Sequence, residues 1–167
     1  MAKRLLVTRH AKSSWKSGAD GDHARPLNKR GQRDAPRVAA HLVGLGWVPE
    51  QVLSSDSRRT RQTLALMLEV LEPEPEVEFS RALYLAGPQE VADALGSVSD
   101  SLETVMVLGH NNGWEEVVTW LSGEEVVLTT ANAALLSCDE ATWAEALAAA
   151  GEWTLHEVVR PKELPDS

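Results

Sequence analysis

Arg9-His10 and Gly109-His110 are the pairs best placed for chemistry in this sequence, because each directly follows a short run of branched apolar residues. Those runs, Arg4–Thr8 and Thr104–Leu108, read as buried strands. Reactive groups in α/β proteins collect beyond the carboxyl ends of the strands, so both imidazoles stand where a site is expected. One strand-end histidine is more commonly a packed or solvated side chain; two in matching positions carry the signal. A third run, Gln51–Ser54, leads into Ser55-Asp56-Ser57-Arg58-Arg59-Thr60-Arg61, which sets three arginines at the start of a helix. Helix N-termini favour anions over cations. Arginines there make sense around a bound phosphate, held by free N–H groups and bidentate guanidinium forks. Arg58 and Arg61 themselves read as solvated surface residues.

These groups need a scaffold of alternating strands and helices. The pattern predicts a helix over Lys29–Leu45, with Asn28 as its N-cap and Val38, Ala39, Leu42 and Leu45 on one face. Pro36 is costly in a helix interior, so this helix is expected either to begin near Asp34 or to bend there. A second helix spans Arg58–Leu71, stopped by Pro73. Further helices are expected at Pro88–Leu95, Trp114–Leu121 and Thr142–Ala149, and further strands at Val77–Phe79, Ala133–Ser137 and Trp153–Val159. With no repeat and no linker, the chain reads as one domain over residues 1–167. The alternation predicts an α/β three-layer sandwich, a mostly parallel central sheet with helices on both faces.

Composition narrows the classes. With 25 acidic and 16 basic side chains the formal net charge is −9, which excludes a protein that coats nucleic acid. A chain of 167 residues buries close to ~70% of its unfolded surface without disulfide or metal staples. The single Cys138 forms no internal disulfide and offers too few thiolates for a structural zinc site, which points to a reducing compartment. Leu5-Leu6-Val7 is shorter than the ~7–15 residues of a signal-peptide core, and no stretch approaches the ~20 apolar residues of a membrane span. A cytoplasmic protein without membrane contacts is expected.

Taken in order, three segments resemble the motifs of the histidine phosphatase superfamily. Leu5-Leu6-Val7-Thr8-Arg9-His10-Ala11-Lys12-Ser13 is similar to its RHG signature, with Ala11 where glycine is usual. Ser55-Asp56-Ser57-Arg58-Arg59-Thr60-Arg61-Gln62-Thr63 resembles its second arginine motif and puts the phosphate-binding arginine at Arg59. Leu108-Gly109-His110-Asn111 resembles its second histidine motif. The short length, the stretch Asp22–Gly31 and the near-terminal Arg160-Pro161-Lys162-Glu163-Leu164 are similar to the SixA-type phosphohistidine phosphatases. The resemblance covers essentially the whole chain and implies a phosphoglycerate mutase-like fold.

It also implies a mechanism. Neutral imidazole is available near pH 7 and forms a phosphoramidate that water cleaves, so His10 is the expected nucleophile, clamped with its phosphoryl group by Arg9, Arg59 and His110. Ser13, Asn111, Asp22 and Arg25 are expected to contact substrate. The resemblance implies neither metal nor organic cofactor. Many superfamily members place a glutamate acid after the second arginine motif, but here that region reads Arg81-Ala-Leu-Tyr-Leu-Ala-Gly-Pro-Gln-Glu90. Glu90 is expected to cap a helix beginning at Pro88, and Asp20 or Asp22 remains either a proton donor or part of a solvated loop. Alkyl esters gain roughly 10²–10⁴ in rate from a proton donor, whereas protonated imidazole leaves readily, so a missing acid favours phosphohistidine.

The short chain leaves little sequence to cover the site, and an open pocket admits a phosphorylated protein such as a phosphotransfer domain. The alternatives are a small phosphomonoester, or a phosphate-binding module without turnover. Lys12, Lys16, Arg25, Lys29 and Arg30 are candidates for docking an acidic partner, and equally ordinary solvated cations. Trp15 and Trp114 are expected at the rim. His41 and His156 read as structural, and His23 stays open. A monomer is the default.

Overall fold

A computed structural model describes residues 2–15 and 18–165, so Lys16 lies outside the described residues. Six strands build one mixed sheet: β1 (Lys3–Arg9), β2 (Gln51–Ser55), β3 (Glu76–Ser80), β4 (Thr104–Gly109), β5 (Ala133–Cys138) and β6 (Thr154–Val159). Their order is β3-β2-β4-β1-β5-β6. The pairs β2–β3, β2–β4 and β1–β4 are parallel, while β5 runs antiparallel to both β1 and β6. Central strands need apolar residues on both faces, and β4 is buried at every position. The edge strands β3 and β6 are mostly exposed.

Alternation along each strand divides the core in two. Leu6, Val52, Met106 and Leu108 meet α1 (Lys29–Leu45) and α2 (Arg58–Leu68), whose Val38, Ala39, Leu42, Leu64 and Met67 fill that side. Leu5, Val7, Val105 and Val107 meet α3 (Pro88–Leu95), α4 (Gly113–Ser122) and α5 (Trp143–Ala148) on the other. Among the described residues no helix is long and apolar enough to cross a membrane.

One helix boundary matches the sequence pattern despite an internal proline, and one falls short of it. α1 begins at Lys29 and carries Pro36 inside it; Asn28 Oδ1 accepts the Gly31 N–H at 2.9 Å, so the cap sets the start. Proline at 36 has no N–H to donate to the Gln32 carbonyl, and Gln32 lies on the exposed side of the helix. α2 ends at Leu68, not Leu71, and the chain tightens there, the Val70 N–H reaching the Met67 carbonyl three residues back. Leu71 still reaches the core. Trp114, expected at a rim, is fully buried with its indole N–H on the Val107 carbonyl, which anchors α4 under the sheet.

Candidate active site

The sheet register brings the motifs together. Arg9 lies opposite Gly109 across β1–β4, and Ser54 lies opposite Leu108 across β2–β4, so Ser55, Gly109 and Arg9 share one carboxyl edge. The residues that follow β1 and β4 are His10 and His110, with ring centroids 5.2 Å apart. A side chain at Gly109 would place its Cβ 2.5 Å from the Trp114 ring, so glycine here lets α4 pack close beneath the histidines. Ser57 caps α2, its Oγ accepting the Thr60 N–H at 3.3 Å, and the first helical turn aims Arg59 across the strand ends.

Arg59, only 3% exposed, is the hub. Its Nε–H donates to His10 Nε2 at 3.3 Å and its Nη2 donates to His110 Nδ1 at 3.2 Å. His10 Nδ1 lies 2.7 Å from the Ala11 carbonyl, an acceptor only, so Nδ1 carries the proton and Nε2 keeps its lone pair facing the guanidinium. By the same reasoning His110 accepts at Nδ1 and donates from Nε2 to Ser55 Oγ, 2.9 Å away. Ala11 is buried, its N–H donates to Thr63 Oγ1 at 3.0 Å, and its φ is not positive. Alanine therefore fits without strain where the resemblance led one to expect glycine.

The segment Leu128–Asn132 fixes the end of β1. Arg9 Nη1 and Asn111 Nδ2 both donate to the Leu128 carbonyl, at 3.0 and 2.7 Å. Ala131 N–H donates to the His10 carbonyl and the Asn132 carbonyl accepts the Arg9 N–H. Glu115 Oε2 accepts the Leu128 N–H and completes the brace. Arg9 Nε is buried without a hydrogen-bond partner among the described residues.

Burial, followed by the charges of Arg59, Arg9 and Arg25, outweighs the Ala11 hydrogen bond and pushes His10 down to about 3. Burial, then His10 and Arg59, lowers His110 to about 3 as well. Both rings are neutral near pH 7. The arrangement thus offers a neutral imidazole nitrogen beside a buried cationic fork, which suits attack on an electrophile that carries negative charge.

Residues 5–83 match the family profile described as histidine phosphatase superfamily (branch 1). An uncharacterised chloroplastic protein of Arabidopsis thaliana is 40% identical over 96% of this chain and 79% of its own. The chain belongs to the histidine phosphatase superfamily. It is a phosphatase, a hydrolase with the α/β phosphoglycerate mutase-like fold. A candidate phosphohistidine phosphatase SixA from Nakamurella multipartitia superposes with a TM-score of 0.84 at 28% identity, covering 96% of this chain and 97% of that one. The protein histidine phosphatase SixA complexed with tungstate gives 0.82 at 23% identity over 97% and 99% of the two chains, a likeness of fold.

The remaining expected site residues of this histidine phosphatase separate into two groups. Asp22 and Arg25 lie over the cluster: Asp22 Oδ2 accepts from Arg59 Nη2 at 3.1 Å, its carbonyl accepts from Arg59 Nη1 at 2.8 Å, and its Oδ1 is 3.1 Å from Arg25 Nε. Ser13 instead forms an isolated bridge with Leu27, a backbone role that folds the loop after β1. Asn111 braces Leu128 and leaves its buried Oδ1 without a partner among the described residues. Glu90 is a cap, its Oε1 accepting the Gly87 N–H at 2.7 Å.

In the free enzyme Asp22 is not poised as a proton donor. Burial pushes its carboxyl up, but the Tyr84 hydrogen bond and the Arg59 and Arg25 charges outweigh that and keep it ionised. Asp20 is exposed. Trp15 does reach the rim, exposed, with its ring 3.4 Å from the Arg25 guanidinium carbon. Arg58 and Arg61 are exposed as expected. Arg30 pairs with Asp34 at 3.4 Å. His23 Nε2 meets Asp56 Oδ1 at 2.7 Å.

Sequence reasoning missed the roles of Ser55 and Tyr84. Tyr84 hydrogen-bonds Asp22 Oδ2 and sets its ring edge-on to His110 at 5.3 Å. Its signal was positional, since β3 ends at Ser80 on the same carboxyl edge as β1, β2 and β4 and Tyr84 follows within one short turn.

Proposed function

We propose that this phosphatase removes the phosphoryl group from protein phosphohistidine through a covalent intermediate on His10. The observation that carries the reading is the His10 tautomer: Nδ1–H is tied to the Ala11 carbonyl and Nε2 presents its lone pair at the Arg59 fork. Attack forms the His10 Nε2–P bond as the substrate P–N bond breaks, and the departing imidazole takes the electron pair. Water then attacks phosphorus, the Nε2–P bond breaks, and phosphate leaves. Arg9 and Arg59 hold the equatorial oxygens, His110 steadies the Arg59 fork through its Nδ1 while its N–H stays on Ser55, and Arg25 approaches from the loop. Their fixed donors match the charge that the transferring group carries.

The substrate class follows from what surrounds the leaving group. In the free enzyme Glu90 is occupied as a helix cap and Asp22 is ionised, so neither stands ready to protonate an alkoxide. An N-phosphorylated imidazole protonated on its other ring nitrogen leaves as neutral imidazole without that help. The SixA name of the neighbour from Nakamurella multipartitia supports the same class. We read the chain as one domain acting alone, since both halves of the core share one sheet.

Phosphate release from a phosphohistidine-bearing phosphotransfer domain, with EDTA present, tests this. Wild type is expected to release phosphate and His10→Ala to lose at least about 10³-fold in rate. No release by wild type, alongside turnover of small phosphate esters, would overturn the substrate assignment.

A further inference from the structure

Arg59 presents its Nε and Nη2 edge to the space beside His10, the edge by which a guanidinium grips two oxygens of a phosphoryl group. Asp22 Oδ2 already sits on that edge, 3.1 Å from Nη2, and accepts the Tyr84 hydroxyl as well. Its other oxygen faces Arg25 Nε at 3.1 Å, and Arg25 is 9% exposed with Nη1 buried and without a hydrogen-bond partner among the described residues. One carboxylate thus gathers partners from three separate segments: an ion pair with Arg25 in the loop after β1, and hydrogen bonds from Arg59 on α2 and Tyr84 after β3.

We propose that the Asp22 carboxylate is an internal stand-in for the phosphoryl group, displaced when substrate binds, and that Tyr84 passes from Asp22 to a phosphoryl oxygen in that exchange. The inference rests on the assignment of the phosphoryl position beside His10 and adds two residues to it. A dianion cannot share Arg59 Nη2 with a carboxylate without strong repulsion, so one must leave. Asp22 is able to do so: its side chain is 41% exposed, and it follows Gly21, whose φ of 93° is open to glycine and costly for other residues. An oxygen that takes the place of Asp22 Oδ2 inherits both of its donors, the Arg59 Nη2 and the Tyr84 hydroxyl. The Tyr84 proton stays on its oxygen throughout.

The exchange has a thermodynamic signature that a fixed substrate contact lacks. Tyr84 serves the carboxylate before binding and the phosphoryl group after it, so its removal largely cancels while Asp22 is present. Without Asp22 nothing cancels. Binding of inorganic phosphate to the full chain, measured by titration calorimetry, is the test. Asp22→Ala is expected to bind phosphate at least about tenfold tighter than wild type, with Asp22→Asn moving the same way. Tyr84→Phe is expected to change affinity less than about threefold alone and to weaken it about tenfold in the Asp22→Ala background. Equal or weaker phosphate binding by both Asp22 variants, or the same Tyr84→Phe loss in both backgrounds, would overturn the proposal. Phosphate binding is read without turnover, so failure of the phosphohistidine assignment is seen separately, in the release assay.

Discussion

The two sides of this site are built by different means. On one side His10, His110, Ser55 and Arg9 stand at the ends of adjacent strands, buried or nearly so, with backbone and side-chain partners that the sheet register fixes. On the other, Asp22, Arg25 and Trp15 come from the long connection between β1 and α1, and they meet the site only through side-chain contacts and one carbonyl. The first side cannot move without disturbing the sheet. The second exchanges its partners with little effect on the core, which suits a surface that admits a bulky phosphorylated side chain. The difference teaches that the sheet holds the chemical groups while the loop reaches them mainly through side chains.

The sharpest way to break this comparison is at Ser55, a fully buried group to which the sequence motifs assign no role. Ser55→Ala strips His110 Nε2–H of its acceptor, and we expect a loss of about 1–3 kcal/mol in stability by denaturant titration. The freed ring also lowers kcat/KM by about tenfold to a hundredfold, measured on the phosphorylated phosphotransfer domain.

The pH dependence sharpens it next. His10 and His110 titrate near 3 in the folded protein and near 6.5 when unfolded. The unfolded chain therefore binds more protons between these values, and stability is fully present above pH 6.5 and falls as pH drops toward 3. In kcat/KM, which reports the free enzyme, no acid limb from His10 is expected near 6.5. A limb centred there would mean that the buried side is wetter than its geometry implies. The smallest effect belongs to the loop side: Trp15, 77% exposed, packs on Arg25, and Trp15→Ala is expected to alter KM less than about threefold and leave the melting temperature within a degree or two.

The elements were legible because their signals are local. Branched apolar runs marked all three strands that carry the site, Asn28 marked the start of α1, and Pro88 with Glu90 marked α3. Pro36 left open a later start near Asp34, which the Asn28 cap overrides by setting the first turn at Lys29. Trp114 misled because nearness in sequence to His110 says nothing about which way α4 rolls; it rolls the indole into the core.

What the sequence determined by itself was the inventory: two strand-end histidines, an arginine on the first turn after a third strand, and the family whose motifs they match. The placement of those residues is set by periodicity over a few positions and the family by resemblance of short motifs, and neither needs knowledge of distant parts of the chain. Only the tertiary structure decided the tautomers of His10 and His110, the brace of Leu128 and Ala131 on β1, and the meeting of Asp22 with Arg59 and Tyr84. Arg59 and Asp22 are 37 residues apart in the chain, and Arg9 and Leu128 are 119 apart. Such contacts follow from strand order and register, which long-range packing fixes.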